Sequence, residues 1–282
     1  MKRKLFCELS PVTYQLSGLK CRTIRSIKNW FLRGRFARTF SADKLPYLVY
    51  RQNSLIRRRL GNVDMRLQEN KAVNLALTVP KISGVLIRPG EIFSFWELAG
   101  KLTRRKGYRE GLTIANGKVS SDIGGGMCQF TNLIHWMVLH TPMKPLEHHH
   151  HDDMDLFPDF GRQIPFGTGT SILYNYLDYR FLNDTGRVYQ LVTYTTDEYL
   201  CGEIRADSPQ PEKYHIFAED EHFEEAGGDV FRCGKIYRSR IDRETGDLIE
   251  KTLLKENHAK VMYDTRDLPA AARGDLSASI GP

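Results

Sequence analysis

Cys128 follows three consecutive glycines in the stretch SDIGGGMCQFTNLIHWMVLHT, which runs from Ser121 to Thr141. The apolar residues behind it recur at i, i+3, i+4, i+7 and i+8, which predicts one apolar stripe of an α-helix. Because glycine is a poor helix former, Cys128 should lie in the first turn. Unpaired backbone N–H groups and the helix dipole lower a thiol pKa there. The sequence therefore predicts an activated thiol.

The glycines and the glutamine beside Cys128 are candidate substrate-binding residues. Gly124, Gly125 and Gly126 carry no side chains that would keep a substrate backbone away from the sulfur. Backbone N–H groups at the helix entrance could form an oxyanion hole, and Gln129 could add a side-chain donor. These features are typical of an acyl-transfer site.

A nucleophilic cysteine needs a base, and a run of four histidines follows the predicted helix at 148–151. On an extended chain His149 and His151 point to the same face. Asp178 lies on the next predicted strand and could orient the base. We therefore predict Cys128 as nucleophile, His151 or His149 as base and Asp178 as orienting residue. This chain order is similar to that of papain-like and transglutaminase-like enzymes.

Each of these residues also has an ordinary interpretation. Cys128 could be a small buried hydrophobic residue, the histidines a solvated loop, and Asp178 a structural partner of Arg162 or Arg180. Zinc binding is a further alternative, because zinc accepts mixed sulfur and nitrogen ligands. The candidate zinc ligands are Cys128, His149 and His151. Since no spacing matches a closed zinc motif, the sequence predicts no metal and no cofactor.

The elements around these residues predict an α+β fold. Residues 1–40 form a basic leader that is helical in part, 41–263 form the main domain, and 264–282 are expected to be a disordered tail. Further N-terminal helices are predicted over 42–62 and 64–84. A turn-rich middle with one central helix behind the glycine-rich loop comes next, followed by antiparallel strands. The strands include an alternating run over 172–181, and turns are predicted at Thr196-Asp197 and at 244–246.

The charge of the 282-residue chain is concentrated at its start. The first 38 residues carry ten Lys/Arg and one acid, a net +9, so the remainder carries −2 of the overall +7. A nearly neutral body argues against a nucleic-acid-binding domain. No run of about 18 apolar residues predicts a membrane span, and no secretory signal is found. Five widely spaced cysteines indicate reduced thiols and a cytoplasmic protein, with residues 1–40 able to contact a membrane surface.

Several blocks of the sequence resemble the VanW family. They are LIRPGEIFSFW (86–96), GLTIANGK (111–118), GGGMCQFTNL (124–133), LHTP (139–142) and YLDYRFLND (176–184), with KLPYLVY (44–50) and QENKAVNL (68–75) similar to the family's leader. The resemblance spans about residues 44–262. It implies a context of glycopeptide (vancomycin-type) resistance and cell-wall precursor metabolism, and it implies no reaction.

The family's motifs map onto the candidate residues. Its glycine-cysteine motif falls on Gly124–Gly126, Cys128 and Gln129, and its Asp-x-x-Phe strand begins at Asp178. Its segment Glu-Arg-His-x-His falls on 147–151, where His148 replaces the arginine and His151 fits the pattern best. Many relatives have an aspartate in the region of GTGTS, where this chain has Gly169.

Three functions remain open at this stage. The first is a Cys-dependent hydrolase or acyltransferase that acts on an amide of a peptidoglycan precursor. The second is an accessory module that binds a peptide, a glycopeptide or a partner protein without chemistry. The third is a zinc-binding protein. The sequence does not decide whether the protein is an enzyme.

Overall fold

The structure, a computed structural model, describes residues 6, 9–58, 64–115, 118–150, 154–158 and 164–264. It confirms the predicted α+β class. The described helices are α1 (Pro11–Leu32), α2 (Met65–Ile82), α3 (Phe95–Ala99) and α4 (Met127–Leu139). The described strands are β1 (Thr39–Phe40), β2 (Tyr47–Leu55), β3 (Val85–Ile87), β4 (Ile92–Ser94), β5 (Glu110–Ala115), β6 (Lys118–Ile123), β7 (Lys144–Glu147), β8 (Met154–Asp155), β9 (Arg180–Leu182), β10 (Tyr189–Thr195), β11 (Tyr199–Ala206), β12 (Glu212–Ala226), β13 (Asp229–Asp242) and β14 (Leu248–Val261).

The strands form four sheets, with orders β1-β3-β10-β11-β2, β12-β13-β14-β8, β4-β9-β7 and β5-β6. Among the described strands, pairing is antiparallel everywhere except between β14 and β8. The turns predicted at Thr196-Asp197 and at 244–246 join β10 to β11 and β13 to β14. Short antiparallel connections of this kind follow from turn residues between alternating strands.

The main core lies between the five-stranded sheet and the helices α2 and α4. Helix α2 contacts β10, and α4 contacts β11 and β2. Phe130, Leu133, Ile134, Met137 and Val138, the predicted apolar stripe of α4, are all buried in this core. The helix is therefore fixed in position by packing, and its first turn is held where the sequence predicted it.

Two predicted elements were wrong. The helix predicted over 42–62 is absent from residues 42–58, the described part of that range, because 47–55 form strand β2, which pairs with β11. The alternating run at 172–181 is not one strand. Leu173 and Leu177 pair across a tight turn in which Asn175 has a φ of 49°, and the strand β9 begins only at Arg180. In the first case long-range pairing outweighs the local pattern, and in the second a tight turn interrupts the strand.

Helix α1 contacts the body of the protein through polar side chains. Arg25 donates two hydrogen bonds to Glu147, at 2.5 and 2.6 Å, and Asn29 bonds both Glu97 and Arg180. Large apolar side chains on another part of the helix remain exposed: Val12, Leu16, Leu19, Ile27, Trp30 and Phe31. The helix is thus docked by its polar side, with its apolar side outward.

The boundaries of the predicted regions are only partly visible. Phe36 and Ala37, near the end of the leader, are already buried, so the leader and the domain are in contact. The predicted tail falls, apart from residue 264, outside the described residues. No helix within the described ranges is both long enough and apolar enough to cross a bilayer.

Candidate functional site at the entrance of α4

The three glycines before α4 are packed against the protein's own atoms. A Cβ on Gly125 would lie 2.1 Å from the carbonyl oxygen of Gly111, and one on Gly126 would lie 2.2 Å from Cγ of Lys71. A Cβ on Gly124 would meet the side chain of Leu102 at 2.6 Å. Gly124 and Gly126 also have positive φ values, 79° and 100°, which glycine adopts without strain. These glycines therefore allow a close approach of the protein's own β5 and α2.

Asn74 of α2 holds the glycine loop in place. Its side-chain amide donates to the carbonyl oxygens of Arg109 and Gly125, at 2.9 and 3.0 Å, and its Oδ1 accepts from the Arg109 amide at 2.8 Å. Asn74 is completely buried. Because all of its hydrogen-bonding groups are used in this way, the residue fixes the loop relative to α2.

The side chain of Gln129 ties the first turn of α4 to the end of β2. Its Nε2 donates to Oγ of Ser54 at 2.9 Å and to the carbonyl oxygen of Leu55 at 2.8 Å. The predicted extra donor for a substrate is thus engaged within the protein. Gln129 positions the helix entrance, and its use as a substrate-binding residue stays a prediction.

Cys128 lies in the first turn of α4, as predicted, but burial of its thiol opposes activation. Burial raises the pKa of Cys128, although the backbone N–H groups of Ile172 and of Cys128 itself act in the opposite direction. The residue keeps some exposure, yet its sulfur is enclosed closely enough for desolvation to dominate. The predicted lowering of the thiol pKa is therefore wrong, because desolvation outweighs the helix N-terminus. Within the described part of the chain, no hydrogen bond joins the thiol to a histidine.

The carboxylate of Asp178 is saturated by donors from its surroundings. Oδ2 accepts from Ser94 Oγ and from Arg180 Nε, and Oδ1 accepts from the backbone amides of Trp96 and Tyr179. Burial raises the pKa of Asp178, and the charge of Arg180 opposes this effect. The carboxylate therefore links α3 to β9 and faces Arg180, one of the structural partners considered in the sequence, and it does not contact a described histidine.

Glu147 occupies the position beside a histidine that the sequence assigned to Asp178. His149 Nε2 lies 3.0 Å from Glu147 Oε1, which also accepts from the Asp178 amide at 2.8 Å. Burial would raise the pKa of Glu147, but hydrogen bonds from Arg25, the Asp178 amide and His149 outweigh it and lower the value. His151, the preferred base, lies outside the described residues. The predicted Cys-His-Asp arrangement remains untested at that position.

Three other histidines form a partly buried cluster on the α4 side of this segment, in which His135 is buried. The ring centroids of His135 and His148 are 3.9 Å apart, as are those of His148 and His150. His135 Nδ1 lies 3.0 Å from the hydroxyl of Tyr179. Burial, with the nearby His148 and His150, lowers the pKa of His135 well below its usual value. The imidazole of His135 is therefore neutral at physiological pH.

Lys71 is the residue at this entrance that sequence analysis did not single out. It is 6% exposed, and its aliphatic stem covers Gly126, the N-cap of α4. No hydrogen bond or ion pair reaches its amine from the described residues. Burial, together with the charges of Arg58 and Arg57, lowers the pKa of Lys71 to about 7. The amine is thus poised between its neutral and charged forms near pH 7.

A second unpartnered group lies one helical turn earlier on α2. Gln68 is 1% exposed, and its Nε2 has no partner among the described residues. Residues at i and i+3 share one side of a helix, so Gln68 and Lys71 face the same region. No side chain caps α4 at Gly126. Gln68 and Lys71 therefore lie on one side of α2, with the stem of Lys71 against an uncapped helix N-terminus, a combination suited to an anion.

Comparison with known proteins identifies the family. The model of the VanW like protein family matches residues 70–205. The vancomycin B-type resistance protein VanW of Enterococcus faecalis is 33% identical over 228 residues, which cover 81% of this chain and 82% of that protein. The chain belongs to the VanW family. The uncharacterized protein YoaR of Bacillus subtilis is 26% identical over 118 residues, 41% of this chain and 36% of its own length. No solved structure matches.

The VanW family match contains most of the α4 entrance. Lys71, Asn74 and Cys128 fall within residues 70–205, together with Asp178 and the described histidines at 148–150. Helix α1 and the long strands β12–β14 fall outside it. The sequence block QENKAVNL (68–75) contains a pattern that could have found Lys71 and Asn74. Polar residues recur there at every third position, Gln68, Lys71 and Asn74, and this side of α2 is buried.

Proposed function

We propose that this VanW-family protein contributes to vancomycin-type resistance by binding an anionic group of a cell-wall precursor at the entrance of α4. In this proposal it acts as a binding module, and Cys128 is a packing residue. The observation that carries the proposal is Lys71, a buried residue whose aliphatic stem lies against the N-cap of α4 and whose amine has no partner among the described residues.

A buried amine without a counter-charge is costly for a protein. Its pKa of about 7 shows that the surroundings resist its charged form. An anion bound beside Lys71 would favour the charged form, since an opposite charge raises the pKa of an amine. The backbone N–H groups of the uncapped helix end would add to the attraction. The same groups that are unfavourable alone are therefore complementary to a carboxylate or phosphate.

The surface beside the glycine loop is also suited to a negatively charged ligand. A depression of about 420 Å³ is bordered by the three arginines Arg66, Arg104 and Arg109, by Tyr108, and by one acidic residue, Glu110. Arg104 and Arg109 have no acidic partner among the described residues. Peptidoglycan precursors carry peptide carboxylates and, in their nucleotide-linked form, a pyrophosphate. A precursor of this kind could place one group at Lys71 and another along the arginines.

The alternative of Cys-dependent amide hydrolysis has less support from the contacts. Burial raises the pKa of the Cys128 thiol, which leaves little thiolate at neutral pH. Asp178 is fully hydrogen-bonded to Ser94, Arg180 and two backbone amides. A poorly ionised thiol is a weak nucleophile. We therefore propose binding without acyl transfer.

The proposal can be tested by calorimetric titration of the full chain with uridine-diphosphate-linked muramyl pentapeptide. Lys71→Met should lower the affinity at least tenfold, because the amine supplies the central charge. Lys81→Met on the same helix is the matched control, since Lys81 is engaged by the Ala99 carbonyl and Tyr108. Affinity should also rise as pH falls from 8 to 6, when Lys71 becomes protonated.

Cys128→Ser separates binding from catalysis. The variant should bind the precursor as the unmodified chain does, and mass spectrometry should find no shortened peptide after prolonged incubation with either protein. Equal affinity of Lys71→Met and the unmodified chain would refute the anion site. A shortened peptide that forms only when Cys128 is present would instead establish the hydrolase.

We infer a second role, association with an anionic membrane surface, from helix α1. Ile27, Trp30 and Phe31 are 54%, 60% and 75% exposed, and they extend a stripe that includes Leu19. The helix carries four Lys/Arg and no acidic residue between Pro11 and Leu32. An exposed apolar stripe with basic residues beside it favours the interface of a negatively charged bilayer. Such contact would bring the α4 site to a precursor held at the membrane.

Vesicle sedimentation tests this second role. The chain should bind phosphatidylglycerol-containing vesicles more strongly than phosphatidylcholine vesicles, and salt should weaken the binding. The double variant Trp30→Ser/Phe31→Ser should bind at least tenfold less, since each side chain contributes about 1.5–3 kcal/mol when buried. Leu248→Ser is the control, because Leu248 is also 60% exposed but lies on β14. An equal loss with both variants would contradict the role of α1.

A further inference from the structure

A group of metal-ligating side chains lies on the long C-terminal strands, away from the α4 entrance. The ligand atoms of His222, Glu224 and Cys233 all lie within 4.8 Å of one another, the one such group found among the described residues. His258 joins them, with its Nε2 3.1 Å from Glu224 Oε1. The group lies beyond the residues matched by the VanW family model.

Strand register explains why these side chains meet. His222 of β12 pairs with Cys233 of β13, which pairs in turn with His258 of β14. Directly paired residues project from the same face of a sheet, and residues two apart on one strand do so as well. Glu224 therefore shares the face with His222, and all four groups project on one side of three adjacent strands.

A β-bulge directs His222 into the group. The pairing of β12 with β13 shifts between Glu219 and His222, and Asp220 within the shift has a φ of 56°. A non-glycine residue with positive φ is uncommon and costs free energy. Bulges of this type often re-aim a side chain next to a functional site. Here the shift places His222 opposite Cys233.

The hydrogen bond of His222 leaves its Nε2 available to bind a metal ion. His222 Nδ1 lies 2.8 Å from the carbonyl oxygen of Asp220, which can only accept, so Nδ1 carries the proton and Nε2 has a lone pair. That Nε2 faces Glu224 Oε2 at 3.9 Å. The ring of His258 is stacked on Phe231 at a centroid distance of 4.5 Å. Both imidazoles are therefore held in defined orientations.

We propose that His222, Glu224 and Cys233 bind a zinc ion, with His258 supporting Glu224 or completing the ligand set. One imidazole nitrogen, one thiolate sulfur and one carboxylate oxygen match the ligands that zinc accepts in four-coordinate sites. The sulfur ligand disfavours calcium and magnesium, which prefer oxygen alone. Binding releases the thiol proton of Cys233 to solvent, and the zinc ion links β12 to β13 across the bulge.

Cobalt titration of the full chain provides the test, since Co²⁺ reports a thiolate ligand through a near-ultraviolet charge-transfer band. About one equivalent of Co²⁺ should bind with this band, and Zn²⁺ should displace it. Cys233→Ser should abolish the band, and His222→Ala and Glu224→Gln should weaken binding at least tenfold. His258→Ala should weaken it about 10–100-fold, as removal of a supporting residue does.

Matched variants locate the site. His215→Ala changes another exposed histidine of β12, and Cys201→Ser changes another buried cysteine; both should leave the band and its affinity unchanged. Circular dichroism should show that the Cys233→Ser sheet remains folded. Absence of the band in the unmodified chain would overturn the proposal. Loss of the band in Cys128→Ser, with retention in Cys233→Ser, would place the metal at the α4 entrance and also overturn it.

Discussion

Asp178 and Lys71 are both buried charged residues, but their surroundings differ completely. The carboxylate of Asp178 receives hydrogen bonds from Ser94, Arg180 and two backbone amides. The amine of Lys71 donates no hydrogen bond to a described residue, although Lys71 is only 6% exposed. Both residues fall within the region matched by the VanW family.

The contrast distinguishes a charged residue that stabilises the fold from a charged residue that is suited to binding a ligand. A buried ionic group with all of its partners stabilises one arrangement of the elements around it. A buried ionic group without partners is unfavourable on its own, so binding of a ligand that supplies the partners is favourable. The sequence predicts a catalytic role for Asp178 and none for Lys71, so the predicted functional charge is the one whose partners are complete. Four experiments test this difference.

The largest effect is expected for Asp178→Ala. The change leaves the buried Arg180 without its nearest carboxylate, which costs about 3–5 kcal/mol, and it removes the acceptor for the Trp96 amide in α3. The free energy of unfolding should fall by about 5 kcal/mol in urea denaturation. Asp184→Asn breaks the surface pair with Lys144 and should cost about 0–1 kcal/mol. Similar losses for both would contradict the structural role of Asp178.

The next effect is a pH dependence that Lys71 contributes. Its pKa is 10.5 in the unfolded chain and about 7 in the folded protein. Between these values the unfolded state binds the extra proton, so stability rises as pH increases from 7 to 10. The penalty at pH 7 is up to about 4 kcal/mol, at roughly 1.4 kcal/mol for each pKa unit. Below pH 7 the penalty is constant.

Urea denaturation of Lys71→Met and of the unmodified chain at several pH values measures how much Lys71 contributes to the pH dependence of stability. Lys71→Met should be more stable at pH 7, and the difference should shrink toward pH 10. Lys81→Met should preserve the pH dependence of the unmodified chain. A difference between Lys71→Met and the unmodified chain that does not change with pH would show that the amine is not buried as described.

A smaller effect is expected for Gly125→Ala at the loop that supports Lys71. The new methyl group would meet the Gly111 carbonyl oxygen at 2.1 Å, a backbone atom that cannot move independently. Overpacking of this kind costs about 1–3 kcal/mol, and precursor binding should weaken with it. Gly186→Ala is the control, since nothing lies within 4 Å of its added Cβ. Unchanged stability of Gly125→Ala would contradict the close contact between the glycine loop before α4 and the Gly111 carbonyl oxygen of β5.

The smallest effect concerns the rate of thiol modification. Cys128 should react with iodoacetamide at pH 7.5 more slowly than Cys21, because burial raises the pKa of Cys128. In denaturant the two rates should converge, since both cysteines are then solvated. Mass spectrometry of proteolytic fragments gives the two rates. Faster reaction of Cys128 in the folded protein would restore the activated nucleophile that the sequence predicts.

Local sequence patterns were sufficient for α4 and for the hairpins. Phe130, Leu133 and Ile134 repeat at helical spacing and are all buried, so periodicity located the helix and Cys128 in its first turn. The turn at 244–246 joins two strands as predicted. In these elements the information lies within one window of the chain, and the tertiary structure agrees with it.

Contacts between distant segments could not be predicted from local sequence patterns. Two of the donors to Asp178 come from Ser94 and Trp96, more than 80 positions earlier, and no local pattern reports them. The strand β2 resembles a helix until its pairing with β11 is known. The metal-ligating group depends on register across β12, β13 and β14 and on a bulge. Each of these features is decided by pairing over long distances.

The docking of α1 makes its two sides separable by mutation. Arg25 and Asn29 hold the helix to the body, while Leu19, Ile27 and Trp30 make no comparable contribution because they are largely exposed. A library that randomises only the outward positions should therefore yield folded proteins throughout. Selecting that library for resistance in living cells would reveal directly which chemical property of the outward surface the cell requires.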